Sequence, residues 1–122
     1  MREAQFTSPR PLTELARVIR SKNSGPFTLT LDIIFSSEHE YRAIKESGQI
    51  TRELIADAYR IAPGTITSIV FFDPASAVKI VLPRTVASGS PGDRDVYGAQ
   101  QHAPLLGLSF TLPHATSDSP QD

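Results

Sequence analysis

The sequence has no cysteine and no tryptophan, and its acidic and basic side chains nearly cancel to a net charge of −1. Without cysteine, the chain can form no disulfide, use no thiolate nucleophile and bind no zinc or iron–sulfur cluster through sulfur. A balanced charge also argues against binding to the phosphate backbone of nucleic acids, because proteins that bind it normally carry a basic face. We therefore expect no nucleic-acid partner.

Long apolar runs are absent as well. The start, MREAQFTSPRPLTELARVIRSK, has no apolar core of signal-peptide length, and no run approaches the ~20 apolar residues that span a bilayer. These features predict a cytoplasmic protein without a membrane partner. We also expect no cofactor and no metal.

The 122 residues are enough for one domain and too few for two independent cores. Many of the ten prolines lie near the two ends. We therefore predict an irregular N-terminal arm over residues 1–10, a single domain over residues 11–112, and a disordered tail over residues 113–122.

The first half of the domain predicts a helix followed by a strand. PLTELARVIRSKNSG places Leu12, Leu15, Ala16 and Ile19 on one helical face, which predicts a helix of about three turns that ends before Gly25. PFTLTLDIIF then alternates apolar and polar residues with a strict period of two, which predicts a strand with one polar face. A polar second face favours an antiparallel or mixed sheet packed on one side only.

The rest of the domain predicts two helices and a hairpin. Ser37 and Thr51 are expected helix caps, and Gly48 is an expected left-handed stop. Residues 66–72 and 77–82 read as strands joined by a DPAS turn, and residues 105–112 as a possible short edge strand. The order α-β-α-α-β-β predicts an α+β two-layer sandwich, with helices on one face of a small antiparallel or mixed sheet and a ferredoxin-like outline.

Two polar segments are candidates for a site. The first, RSKNSGP, offers Arg20, Ser21, Lys22 and Asn23 at the expected end of the first helix. Cations there would offset the helix dipole, which is a sufficient structural explanation. The alternative is a binding site for a carboxylate or phosphate, in which the planar Arg20 guanidinium would make paired hydrogen bonds and the Lys22 ammonium would supply a compact positive charge.

Apart from the two segments, Asp32 lies on the polar face of the predicted strand. Lys79 projects from the predicted hairpin and is the expected partner in an exposed cross-strand ion pair. We assign no catalytic role to this pair.

The second candidate segment is SGSPGDRDVYGAQQHAPLL, residues 88–106. It is too long and too aromatic for a plain connector. Its candidate binding residues are Arg94, Tyr97, Gln100, Gln101 and His102. Its catalytic candidates are His102 as a base, with Asp93 or Asp95 as the orienting carboxylate. A metal site at Asp93, Asp95 and His102 is a minor alternative, because Asp-x-Asp in a turn is more often a local hydrogen-bonding device.

Three stretches together resemble a bacterial family known only as a domain of unknown function, number 4387. They are ARVIRSKNSGPFTLTLDIIF, FFDPASAVKIVLPR and SGSPGDRDVYGAQQHAPLL, and the resemblance spans about residues 11–108. Members resemble small partners of the larger proteins named for acyclic terpene utilisation (AtuA-like proteins), which often end in a ferredoxin-like domain. The resemblance implies a detached counterpart of that domain, and carries over no catalytic residue.

The leading hypothesis is therefore an accessory or small subunit of a two-component enzyme, in a homo- or hetero-oligomer. It would dock on an AtuA-like protein and contribute polar loops to a site for a small carboxylate or acyl-thioester. The alternatives are a structural homo-oligomer without catalysis and a standalone enzyme that uses His102 with Asp93 or Asp95.

Overall fold

A computed structural model describes residues 9–24, 27–83 and 102–112. Six strands and three α-helices lie in these ranges. In chain order they are β1 (Arg10–Pro11), α1 (Leu12–Leu15), β2 (Ala16–Asn23), β3 (Thr28–Phe35), α2 (Glu38–Glu46), α3 (Arg52–Tyr59), β4 (Ser68–Phe72), β5 (Ala77–Pro83) and β6 (Ser109–Phe110). The protein is an α+β structure, as predicted.

Strand β3 lies inside a four-stranded antiparallel sheet with the order β2-β3-β5-β4, which we call the main sheet. The alternation that predicts this strand is confirmed, because Leu29, Leu31, Ile33 and Phe35 are all buried. Strand β3 pairs with β2 on one side and with β5 on the other. Its backbone hydrogen bonds are thus made on both sides, which holds the middle of the sheet together.

The predicted first helix is wrong beyond its first turn. Helix α1 ends at Leu15, and the chain from Ala16 to Asn23 runs as strand β2. Leu12, Leu15 and Ile19 have helical spacing, but Ile19 also lies two residues before the buried Ser21, which is strand spacing. Pairing with β3 decides between the two patterns, because tertiary hydrogen bonding and packing routinely override local propensity.

Helices α2 and α3 begin at the predicted caps. The Ser37 hydroxyl accepts the Glu40 N–H at 3.1 Å, and the Thr51 hydroxyl accepts the Leu54 N–H at 3.0 Å. After α2, Gly48 has a φ of 72°, as expected of a left-handed stop. Helix α3 ends at Tyr59, before the stop expected at the proline at position 63. It ends there because Arg60 adopts the left-handed conformation.

The predicted hairpin is confirmed as β4 and β5, joined by a single 3-10 turn over Asp73–Ala75. The predicted edge strand near the C-terminus is shorter than residues 105–112. A 3-10 turn covers Ala103–Gly107, and only Ser109–Phe110 form strand β6, which pairs with Arg10–Pro11. The remaining residues of the two predicted arms, 1–8 and 113–122, lie outside the described residues.

A side-chain amide holds the end of the described chain. The Gln49 amide donates to the Thr111 carbonyl at 2.6 Å and accepts the Thr111 N–H at 2.9 Å. The amide therefore acts as one residue of a neighbouring strand and satisfies both backbone groups of Thr111. This contact fixes β6 and the buried Phe110 against the helical layer.

The core lies between the helices and one face of the main sheet. Tyr41 and Ile44 from α2, and Ile55 and Ala56 from α3, are buried in one cluster with the inward residues of β3 and β5. Helices α2 and α3 therefore pack against one face of the main sheet, and the predicted α+β class is observed. The predicted order of elements is not, because β2 replaces most of the first helix and the two hairpins flank the helix pair.

Two neighbouring isoleucines of β3 test which face of the main sheet is covered. Ile33 is fully buried and Ile34, on the opposite face, is half-buried. We expect Ile33→Ala to lower the free energy of unfolding by about 2–5 kcal/mol, because it opens a cavity in a packed core. Ile34→Ala should cost less than half as much. Urea unfolding followed by circular dichroism measures both, and equal losses would contradict a one-sided core.

Candidate functional site: the open face of the main sheet

The face of the main sheet that points away from the helices is the strongest candidate surface. The strand registers align its outward residues in three rows across β2, β3, β5 and β4. The rows are Lys22, Thr30, Val81 and Ser68; Arg20, Asp32, Lys79 and Val70; and Val18, Ile34, Ala77 and Phe72. We call these residues the open face; one of them, Thr30, is buried and contacts the Ser24 hydroxyl.

A groove of about 360 Å³ runs along the second and third rows. Ile34, Ala77 and Phe72 form its apolar side, and Arg20 and Lys79 lie along its polar side. This volume falls at the lower end of the range for ligand-binding clefts, ~300–1,000 Å³. The groove therefore has the size and the mixed lining of a binding cleft, on a sheet face that the helices leave uncovered.

The ion pair on the open face differs from the predicted one. The Arg20 Nε lies 3.2 Å from the Asp32 Oδ2, while Lys79, the register partner of Asp32 on β5, makes no ion pair among the described residues. The Arg20 side chain is 59% exposed, so the pair contributes only about 0.2–1 kcal/mol to stability. The pair offsets the charge of Arg20, and Lys79 is exposed on the same face.

The three rows carry a net positive charge. Arg20, Lys22 and Lys79 supply three cations and Asp32 one anion, a sum of +2 within these rows. The whole chain is slightly acidic, so this charge is a local feature of the open face. An anionic ligand or an acidic protein surface complements it.

Two large apolar side chains stand on the open face at its β4 edge. Val70 is 49% exposed and Phe72 is 56% exposed. Neither residue is among the functional candidates that the sequence predicts. The sequence does contain a feature that could have identified them. Residues 69–72 are all apolar and do not alternate with polar residues, so a strand here must be apolar on both faces. Only Ile69 and Phe71 of these residues pack against the core.

A buried tyrosine anchors the turn that positions this edge. The Tyr41 hydroxyl donates to the Asp73 Oδ1 at 2.6 Å, and the Lys45 ammonium donates to the same oxygen at 2.9 Å. Burial and then the hydrogen bond to Asp73 raise the pKa of Tyr41 to about 12. The hydrogen bonds from Tyr41 and Lys45 hold the pKa of Asp73 below its usual value. The cluster joins α2 to the β4–β5 turn and so fixes Phe72, which precedes Asp73.

The first predicted binding segment lies on β2 and not at the end of a helix. This placement corrects the interpretation of its cations as helix-terminating charges. Arg20 and Lys22 are exposed on the open face, Ser21 is buried on the opposite face, and Asn23 is the last residue of β2. The strand alternation therefore brings Arg20 and Lys22 together on one surface and directs Ser21 away from it.

Of the second predicted segment, the structure describes only His102 and the residues that follow it. Asp93, Arg94, Asp95, Tyr97, Gln100 and Gln101 lie outside the described residues. The His102 carbonyl accepts the Leu105 N–H at 2.8 Å, which opens the 3-10 turn. Its Nδ1 atom is buried and has no hydrogen-bond partner in the part of the chain that the structure describes. The pairing of His102 with Asp93 or Asp95 stays a prediction.

No three side chains of histidine, aspartate or glutamate lie close enough together in residues 9–24, 27–83 and 102–112 to hold a metal ion. Within the same ranges, no helix is both long and apolar enough to cross a bilayer.

Comparison with known proteins gives a family and nothing finer. The model of a family described as "Domain of unknown function (DUF4387)" matches residues 12–109, which includes β2 to β5 and both longer helices. No curated protein and no solved structure matches the chain. The match thus covers the whole main sheet, including the residues of the open face.

The anchor cluster predicts a pH-dependent contribution to stability. Because the folded state lowers the pKa of Asp73, its contribution is complete above the unfolded value of ~3.9 and is lost as the pH falls through the folded value. Asp73→Asn should therefore lower stability at neutral pH, and the difference from the wild-type chain should shrink in acid. Urea unfolding over a pH series measures this.

Asp57→Asn is the matched control, because Asp57 is an exposed carboxylate on α3. Its stability should stay within about 0.5 kcal/mol of the wild-type chain at neutral pH. A difference between Asp73→Asn and the wild-type chain that is constant over the acid range would contradict the assignment to the Asp73 charge.

Proposed function

Since this chain belongs to the DUF4387 family, whose description assigns no activity, we propose its function from its geometry. We propose that it is an accessory small subunit that docks through the open face of its main sheet on a larger protein. The sequence resemblance indicates an AtuA-like protein as that partner. The observation that carries the proposal is a sheet face with exposed apolar side chains and no covering layer among the described residues.

Val70 and Phe72 are the large exposed apolar side chains that docking would bury. Burying a valine or phenylalanine side chain against a partner is favourable by ~1.5–3 kcal/mol when the side chain was exposed before. Both residues are about half exposed, so each would supply part of this on docking. Aromatic side chains near the centre of an interface often dominate its affinity, and Phe72 adjoins the groove.

The charge of the open face defines the chemistry of the partner surface. A net charge of +2 in the three rows favours a partner that presents apolar side chains together with one or two carboxylates. A carboxylate opposite Lys79 would pair with a cation that has no ion-pair partner among the described residues. Such a partner would steer the docking and fix its orientation.

The groove also fits the proposed ligand class, a small carboxylate or acyl-thioester. Its apolar side, Ile34, Ala77 and Phe72, offers contacts to a short carbon chain, and Lys79 offers a charge-assisted hydrogen bond to the anionic end. One side of the groove is open, and a docked partner would close it. In this arrangement the small subunit supplies binding and position, and the larger protein supplies the chemistry.

We propose a cytoplasmic two-component assembly in which this chain is the detached counterpart of the ferredoxin-like C-terminal domain of AtuA-like proteins. The α+β class and the one-sided helical layer support that comparison.

Docking is tested by mixing the purified chain with a purified AtuA-like protein and measuring the mass of the product by light scattering. We expect a complex at micromolar concentration, and its loss in Phe72→Glu, which places a charge among the apolar side chains of the proposed contact. Leu106→Glu is the matched control, since Leu106 is 43% exposed on the helical side of the molecule. Two separate species in the wild-type mixture, or equal effects of the two variants, would contradict the proposal.

The ligand class is tested on the complex with octanoate as the probe and octanol as its uncharged analogue. Lys79→Gln should weaken octanoate binding about tenfold or more, because a charge-assisted hydrogen bond is worth ~1.5–3 kcal/mol. Octanol binding should be unchanged in this variant. Titration calorimetry measures the affinity for both ligands.

Lys22→Gln is the control, because Lys22 lies on the open face but outside the groove. If Lys79→Gln leaves the affinity for octanoate unchanged, Lys79 does not bind the anionic end of the ligand.

A further inference from the structure

The main sheet has two edges, and they differ in chemistry. Strand β2 forms one edge and strand β4 the other. Among the described residues, no other strand pairs with the outer side of either one. An open edge presents unpaired backbone N–H and C=O groups, so it can pair with a strand of another molecule unless something prevents it.

The β2 edge carries the usual protections against strand pairing. Arg17, Arg20 and Lys22 place three cations on its eight residues. The pairing of β2 with β3 also shifts register between Ala16 and Val18, which marks a bulge or irregularity at the start of the strand. Cations and bulges are two of the devices by which proteins block edge-to-edge association.

The β4 edge carries none of these protections. Its five residues, SIVFF, include no charge, no proline and no glycine. Val70 and Phe72 are both about half exposed on it. The β4–β5 turn is held in place by Tyr41 and Lys45, so the strand is presented on a fixed support.

We infer that β4 pairs antiparallel with β4 of a second copy of this chain, which joins two four-stranded sheets into one of eight strands. Full-length pairing of a five-residue strand with itself about a two-fold axis places its midpoint, Val70, opposite the same residue of the other copy. Ser68 then lies opposite Phe72. Directly opposed valines on an antiparallel pair favour the pairing, and no like charges face each other.

Electrostatics select the β4 edge over the β2 edge for self-association. In a β4 dimer, the two copies of Lys79 lie three strand spacings apart, about 14 Å, which exceeds the ~10 Å Debye length at 0.1 M salt. Self-pairing of β2 would instead bring its cations onto adjacent strands. An uncharged strand complements itself, whereas a strand of like charges repels its own copy.

This dimer goes beyond the docking function and needs no partner protein. It places the two open faces side by side on one continuous sheet, so a larger protein would meet two grooves at once. Experiments on the isolated chain test it, and their outcome is independent of whether an AtuA-like protein binds.

A charge-swap experiment at position 70 tests both the pairing and its register. The wild-type chain should sediment as a dimer at high micromolar concentration. Val70→Lys and Val70→Glu should each sediment as monomers, because two like charges would face each other at the axis. An equimolar mixture of these two variants should again form dimers, since lysine then faces glutamate. Val70→Thr, which keeps the β-branch, should remain dimeric.

Circular dichroism verifies that each variant is folded, and amide hydrogen exchange reports on the edge itself. The amides of β4 should exchange more slowly in the wild-type dimer than in the Val70→Lys monomer. A wild-type chain that stays monomeric overturns the inference, and so does a Val70→Lys variant that stays dimeric. A mixture of Val70→Lys and Val70→Glu that stays monomeric overturns the proposed register.

Discussion

The double pairing of strand β3 is the constraint on which the rest of the fold depends. Its apolar residues face the helices, and its backbone requires hydrogen-bond partners on two sides. Strand β5 satisfies one side by way of the β4–β5 hairpin. The segment after Leu15 satisfies the other side, so it extends as β2 although its apolar spacing also suits a helix. The rows of the open face follow directly from these two registers.

Local signals in the sequence predict much of the fold, and a non-local one explains the main error. The caps at Ser37 and Thr51 and the alternation in β3 each depend on residues within a few positions, so each can be read from the sequence. The conformation of Ala16–Asn23 depends on β3, up to 19 residues away in its register. Periodicity alone cannot detect this, because Leu12, Leu15 and Ile19 match a helix while Ile19 and Ser21 match a strand.

The candidate site was predictable only in part, because it is a property of the register between strands. The sequence identifies Arg20 and Lys22 as candidates. Their neighbours on the open face, Asp32, Lys79 and Val70, come from three other strands, so only the strand registers reveal them. The ion pair of Asp32 illustrates the difficulty. Both Arg20 and Lys79 are its register neighbours, and only the folded structure shows that Arg20 forms the ion pair.

The apolar character of Val70 and Phe72 is not required by the fold. Both side chains point away from the core, where polar residues with a preference for strands, such as threonine, would serve the main sheet equally well. The neighbouring Ile69 and Phe71 already pack against the core. Contiguous exposed apolar residues in a sheet commonly mark an interaction surface. The fold therefore explains one face of β4, and the proposed docking would explain the other.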